Sequence, residues 1–425
     1  MIEKVLHFIW KYQLLLGKQL ETSQKEVVII DKPGLQNENA GPDFINAKVK
    51  INQQLWVGNI EIHLKSSDWY LHNHHIDDNY NSVILHVVWE YDREVYNLNQ
   101  QIIPTLELSK FVDVDFLKKY HEFNLNNPKW ILCEDELKNI SKFTIQNYLE
   151  VLFLERLERK NIEIYHYLEV SKNDWEAVLF LLLCKNFGAK INSEAFLQLA
   201  KSVDYQIIRK ESAHLFTLEA LFFGQAGFLN DDLEDAYYLK LKKEYQYLKI
   251  KHRLKPLSSS TFQFFRLRPI NFPTVRIAQV AGVIFNIKSL FSLILDTNTK
   301  EEMYVIFKIQ TSLYWDTHYT FHKESKFLKK LISKDFTDNL LINTLIPLKY
   351  AYFKKQKLDF TDSLFDLMKL IKPESNSIIK RFSEFGIVSE NAIDSQSLIQ
   401  LKNEYCNYKR CLECRIGNEI FRKQS

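Results

Sequence analysis

Apolar and polar positions recur along this chain with two different periods. Met1 to Leu16 is apolar but broken by Glu3, Lys4, His7 and Lys11, a spacing that predicts an amphipathic helix and not a signal peptide. Val27–Ile30 is a short β-type run closed by Asp31-Lys32-Pro33-Gly34. From Phe44 to Ile51 the chain alternates, with Ile45, Ala47, Val49 and Ile51 against Phe44, Asn46 and Lys48, which is strand periodicity. After a turn at Gln53-Gln54 it alternates again through Leu55, Val57, Ile60, Ile62 and Leu64. Val83–Trp89 is a continuous apolar run, as a central strand requires. Ile102–Leu108 predicts one strand more.

Past residue 115 the period becomes helical, over Phe143–Leu168, Trp175–Phe187, Ser193–Val203, Leu215–Phe228 and Asp232–Ile250. Pro273 suits the first turn of a further helix, and helical runs fill much of 301–370. The expected class is therefore α+β, with a mixed module over 1–115 and a mostly helical region over 116–425. The longest apolar run, Ala177–Cys184, falls well short of the ~18 residues of a membrane span, so no membrane partner is expected.

Composition sharpens this picture. Apolar residues make up 46% of 425 and aromatics 14%, while Gly and Pro number only 10 and 9, so the chain has core material and little linker material. A net charge of +3 does not by itself mark a nucleic-acid binder, although a local basic patch can bind without a large total. Five unevenly placed cysteines argue against a disulfide framework and for a reducing, cytoplasmic setting.

The densest candidate chemistry lies between 41 and 90. It reads Gly41-Pro42-Asp43-Phe44, then Gly58 to Lys65, then Ser66-Ser67-Asp68-Trp69, then His72-Asn73-His74-His75-Ile76-Asp77-Asp78. Side chains two apart on a strand share a face, so Glu61, His63 and Lys65 point one way and Ile60, Ile62 and Leu64 the other. If the two strands form a hairpin, Asp43 comes near Glu61. Two carboxylates and a strand-borne base can hold Mg²⁺ or Mn²⁺ against a phosphate. The same residues also fit a turn followed by the solvated face of an antiparallel strand.

Pro42-Asp43 with Glu61 resembles the PD-(D/E)xK signature of restriction-endonuclease-like nucleases, and the predicted order of helix, three strands, helix and strand suits that fold. The resemblance implies that Asp43 and Glu61 hold the metal. The lysine that would help activate water is replaced by His63, with Lys65 one strand repeat further on. Histidine can serve as a general base near neutral pH.

His72, His74, His75, Asp77 and Asp78 form a second polar cluster; with His63, four of the twelve histidines fall within 63–75. Two readings stand: a transition-metal site or proton relay, and an exposed polar loop. His86, in mid-strand, reads as a core histidine. Cys406, Cys411 and Cys414 lie within nine residues. Cys133 is the candidate fourth ligand of a zinc or iron–sulfur centre, against free thiols, and Cys184 reads as core. A similar staple, one distant cysteine plus a C-terminal three, occurs in some nucleases of the same superfamily. In Phe262–Arg276, Arg266 and Arg268 share a face of an extended segment and Arg276 falls in the next helix's first turn. That arrangement suits backbone phosphates and single-stranded nucleic acid, or else inter-domain ion pairing.

These blocks, together with Phe223–Leu229, Tyr314–Phe321 and Cys406–Gly417, resemble one uncharacterised bacterial family of the DUF2851 type. The leading expectation is a divalent-metal-dependent nuclease acting on DNA or RNA. In it Asp43 and Glu61 bind the metal, His63 and Lys65 activate water, and Arg266, Arg268 and Arg276 grip phosphates. The alternatives are a catalytically inactive nucleic-acid-binding protein on the same fold, a zinc-dependent hydrolase built on His63, His72, His74 and His75, and a scaffold with no site.

Overall fold

A computed structural model describes residues 3–16, 19–37, 41–112, 117 and 129–423. By internal contacts the chain divides into two units. The first takes Met1–Tyr148, Glu384–Gly386 and Leu401–Ser425, and the second Leu149–Ser383 with Ile387–Gln400. The boundary expected near 115 falls inside the first unit, and the C-terminal segment returns to that unit as well.

In the first unit, helix α1 (Glu3–Tyr12) precedes the strands β1 (Leu20–Glu21), β2 (Val27–Lys32), β3 (Leu35–Gln36), β4 (Phe44–Ile51), β5 (Gln54–Lys65), β6 (Val83–Glu90) and β7 (Thr105–Glu107). They form one sheet in the order β1-β2-β4-β5-β6-β7, with β3 also on β4. Pairing is antiparallel as far as β5 and parallel through β5–β6–β7. The β4–β5 hairpin turns at Asn52-Gln53, both with positive φ, the mirror-image turn whose twist suits two strands. The short helix α2 (Asp68–Leu71) follows β5.

One expectation about β4 fails instructively. Its alternation is interrupted where the register shifts between Phe44 and Ala47, with Asn46 at φ 58°. This bulge returns Phe44 to the buried side with Ala47, Val49 and Ile51. It also pairs Phe44 with Ile60, which sets Asp43 beside Glu61.

The core of this unit joins Val5, Leu6, Phe8, Ile9 and Trp10 of α1 to Phe44, Ala47, Val49, Ile60, Ile62, Leu85 and Val87 of the sheet, with Phe421 from the C-terminal segment. That segment ends in a helix, Arg415–Lys423. Phe421 meets Phe8 edge-on at 6.0 Å, and Glu413 pairs with Lys4 at 3.0 Å.

The second unit is helical apart from β8 (His318–Thr320) and β9 (Lys323–Glu324). Its helices include Trp175–Phe187 and Ala236–His252, whose first turns are capped by Asp174 and Asp235 accepting from backbone N–H groups; such caps satisfy donors the helix itself cannot. Cys184 is buried in this core, as expected. Among the described residues no single helix is long and apolar enough to cross a membrane. One bent pair, Pro273–Asn286 with Leu290–Asp296, reaches that length and composition together, and all but two of the residues of its first helix are buried.

Candidate metal centre

Backbone geometry brings the first carboxylate into place. Gly41 adopts φ 105°, open to glycine and strained for other residues. Asn37 then braces the turn, its amide N–H donating to the Asp43 carbonyl at 2.7 Å and its side chain to the Pro42 carbonyl at 3.0 Å. Asp43 and Glu61 clamp each other's backbone. Glu61 Oε2 accepts from the Asp43 N–H at 3.1 Å, and Asp43 Oδ2 accepts from the Ile62 N–H at 2.9 Å.

Glu61 and His63 lie on the same side of β5, and both are buried. Ser66 and Ser67 anchor to the Asp92 carboxylate, and Asn73 at φ 62° turns the chain after α2 so that His74 faces the strand. His74 Nε2 lies 3.2 Å from Glu61 Oε1, and His63 Nε2 3.5 Å from the same oxygen. His63 Nε2 also meets His72 Nδ1 at 3.1 Å. One ring nitrogen from each of His63, His72 and His74 lies within 4.8 Å of the others. Behind them, His86 Nε2 meets His63 Nδ1 at 2.8 Å, the position from which a supporting group fixes a ligand's orientation. Trp69 and Tyr80 wall the cluster, with Tyr80 stacked on His74 at 3.6 Å.

Electrostatics separate these groups from ordinary ion pairs. Burial, followed by the Asp43 charge, pushes the Glu61 carboxyl up to about 9. Burial, then His74 and His72, pulls His63 down to about 3, and burial lowers His74 and His86 as well. Burial thus favours the uncharged forms of His63 and His74 and of the Glu61 carboxyl that they face. His74 Nε2 is buried with no hydrogen-bond partner, although such atoms are normally paired. Neutral imidazole lone pairs converging beside a carboxylate are the donor set of a divalent transition ion, so these residues fit a metal.

A second grouping abuts the first. Glu3 and His7 of α1 place ligand atoms within 4.8 Å of one another and of Asp43, and His7 Nε2 lies 3.3 Å from Asp43 Oδ2. Burial works to lower the His7 imidazole; the Asp43 carboxylate more than reverses this and holds it above its ordinary value. Neither residue stands out in the sequence as a ligand, and His86 reads there as core. The signal for α1 was present, since Glu3 and His7 are four apart and so share a helix face.

Other expected residues lie elsewhere. Lys65 is exposed and pairs with Glu90 at 3.5 Å, and no contact joins it to Glu61 or His63. His75 packs on Tyr70 at 5.0 Å, outside the histidine grouping. Arg266 and Arg268 are exposed. Arg276 is buried, donating to Gln279 and Asn271 at 2.8 and 2.6 Å and lying over the Phe336 ring at 3.7 Å. These bonds occupy it, so it is not free to grip a phosphate.

Cys133, Cys406, Cys411 and Cys414 all line one small cavity, with Leu132, Tyr405, Arg410 and Gly417. Burial, then the other three cysteines, raises the Cys133 thiol far above its ordinary value. Any side chain at Gly417 would strike the Cys411 carbonyl, 2.1 Å from the Cβ position. Lys402 ties the segments together, its ammonium donating to the Trp130 carbonyl at 2.9 Å.

A mixed sheet carrying a buried histidine–carboxylate cluster, in a chain otherwise helical, defines an α+β protein. The chain belongs to the family described as protein of unknown function (DUF2851), which it matches over residues 3–377; the cysteine triplet lies beyond the matched stretch. No curated protein and no solved structure matches it.

Proposed function

We propose that the first unit is a metal-dependent phosphodiesterase acting on nucleic acid, with a divalent transition ion held by His63, His72, His74 and Glu61 beside Asp43. The observation that carries this reading is the unpartnered, buried His74 Nε2, grouped with two other imidazoles and 3.2 Å from Glu61. A bound divalent ion supplies Lewis acidity, which makes water nucleophilic near neutral pH and offsets charge on a phosphate.

His63 takes a different role from the one its position in the motif suggested. An imidazole pulled down to about 3 is a poor base at neutral pH and a good neutral ligand. His86 holds its Nδ1 and so fixes which nitrogen faces the cluster. Support for phosphodiesters comes from the placement of Asp43 at the head of β4 and Glu61 within β5, next to the parallel β5–β6 pair. This resembles the restriction-endonuclease-like arrangement. Arg266 and Arg268, both exposed, are the proposed phosphate contacts. The four cysteines are proposed to hold zinc or an iron–sulfur cluster that staples the C-terminal segment to residues near 133.

The test is cleavage of single- and double-stranded DNA and RNA with Mn²⁺, Zn²⁺ or Mg²⁺. Wild type should cut at least one of them. Asp43→Asn, which keeps the acceptor for the Ile62 N–H, and His72→Ala, at an exposed ligand, should each lose about 100-fold or more. Binding without cleavage under every metal would leave only a nucleic-acid-binding protein. A second reading, favoured by the same three imidazoles, keeps the ion and changes the substrate to that of a zinc-dependent hydrolase. Zinc at stoichiometry with no affinity for nucleic acid would select it.

A further inference from the structure

We propose that the second unit carries a small-molecule site of its own, a cavity that takes a nucleotide, with the base on Tyr167 and Tyr205 and the phosphate on Lys172 and Lys201. Every residue that lines it belongs to the second unit, so it is separate from the metal centre and does not depend on it. Three observations carry it.

The first is room. Where the helix Lys142–Val170 ends, Lys172 and Asn173 take φ 54° and 63°, and this left-handed turn leads into the helix Trp175–Phe187. The helix Ala189–Lys201 ends, and Tyr205–Glu211 begins, beside the same turn. Between these helix ends lies a cavity of about 670 Å³, within the ~300–1,000 Å³ of small-molecule sites. The second is the lining. Its buried part is Ala177, Phe180, Ala200 and Val203, two small side chains and two larger apolar ones. Tyr167 and Tyr205 line it as well, with the Tyr205 ring 5.5 Å from that of Phe180. Aromatic surface of this kind stacks a nucleobase without needing its identity. The Gln206 amide, also in the lining, offers an acceptor and two donors, the complement of a base edge.

The third is charge. Two carboxylates and two ammonium groups stand at the mouth. Both carboxylates are engaged. Asp174 accepts from the Ala177 N–H at 3.1 Å and pairs with Arg209 at 3.3 Å, and Asp204 accepts from the Gln206 N–H at 2.8 Å. Lys172 and Lys201 are exposed, and among the described residues neither has an ion-pair partner. The Lys201 ammonium lies 5.1 Å over the Tyr167 ring, which holds it at the cavity. Lysine binds phosphate as a point charge, and two lysines at one mouth suit the two charges of a phosphate monoester. A base joined to a phosphate monoester is found in a free nucleotide and at the end of a nucleic-acid strand, and the site fits the chemistry common to both.

Isothermal titration of the full chain, with no divalent ion added, tests this. The probes are AMP, GMP, CMP and UMP and a 5′-phosphorylated trinucleotide, against adenosine and inorganic phosphate. At least one nucleotide or the trinucleotide should bind with a Kd on the order of 10–100 μM, as expected for a ligand of this size. Lys201→Gln, at an exposed position, should weaken it about 10-fold, and Lys201→Arg should keep it within about 3-fold. Tyr205→Leu should cost about 10-fold through lost stacking while Tyr205→Phe keeps it, with melting curves confirming that both variants fold. Binding of the trinucleotide alone would make a strand end the ligand, and binding of the nucleotides a free nucleotide; either supports the site. No binding by any of them, inorganic phosphate as tight as the nucleotide, or an affinity unmoved by Lys201→Gln would overturn it. Each of those failures leaves the metal centre and its proposed function untouched.

Discussion

Glu61 is the residue on which the centre turns, and its protonation gives a measurable sign. In the metal-free chain burial and the Asp43 charge raise its carboxyl to about 9, against about 4.3 for an unfolded glutamate. The folded chain therefore keeps a proton that the unfolded chain has lost. Stability from this group is complete below about pH 4.3 and is lost as pH rises to about 9. His7, held up by Asp43, acts in the same direction above about pH 6.5. His63, His74 and His86, all lowered, act oppositely and on the acid side, losing stability as pH falls below about 6.5. Chelated protein should therefore melt at progressively lower temperature from pH 6.5 to 9, by roughly 1 kcal/mol per pH unit. Glu61→Gln should make that slope shallower, and added Mn²⁺ should restore wild-type stability most at the alkaline end, where an ion replaces the missing proton. A flat melting profile in the chelated wild type would refute the account. None of this was visible in the sequence, where Glu61 and His63 read equally well as a solvated strand face. Burial decides between those readings, and burial comes from Trp69, His74 and Tyr80, packed by a loop whose path depends on Asn73 in the left-handed region.

At the scale of elements, the period-two signal located β2, β4, β5 and β6, and the period-3.6 signal located Trp175–Phe187 and Ala236–His252 within a few residues. The alternation of β4 misled at one end. Ile45 and Asn46 look like successive in-and-out positions, but the bulge there resets the faces, and bulges carry no fixed composition. The cysteine triplet was legible because three thiols in nine residues have few packing explanations. Its connection to Cys133 required the fold, since 273 residues separate Cys133 from Cys406. With both segments gathered on one cavity, a metal would crosslink elements that are otherwise joined by a long chain excursion. Protein purified without oxygen should carry zinc or iron at stoichiometry, and Cys406→Ser should lose it. The C-terminal segment, residues 401–423, should then become accessible to protease while the sheet stays protected. Iron with a visible absorption band would indicate a cluster, and zinc a tetrahedral site; a segment equally protected in Cys406→Ser would refute the staple.

At the scale of the molecule, the chain leaves its first unit near Tyr148, rejoins it briefly at Glu384–Gly386 and returns for good at Leu401, a path that no local pattern announces, because periodicity reports faces and not chain return. The arginines of Phe262–Arg276 show the same limit. Sequence grouped Arg266, Arg268 and Arg276 as one basic patch, while the fold assigns them to different environments. Arg268 is exposed at the entry to a single turn, Pro269–Asn271. Arg276 is buried without a carboxylate, paired to Asn271 and Gln279 and stacked on Phe336, and burial lowers its guanidinium to about 10. Substitution should therefore separate two quantities that the sequence merged. Arg268→Ala should leave melting unchanged within about 0.5 kcal/mol. It should weaken nucleic-acid binding and reduce the slope of log affinity against log salt by about 1, the loss of one phosphate contact. Arg276→Ala should instead destabilise the second unit by about 2–4 kcal/mol, because it strands the buried Gln279 amide oxygen, removes the partner of half-buried Asn271 and opens a cavity over Phe336. The salt slope measured on its folded fraction should match wild type. If Arg276→Ala lowers the slope and Arg268→Ala does not, Arg276 and not Arg268 contacts phosphate, and the assignment of the basic face is reversed.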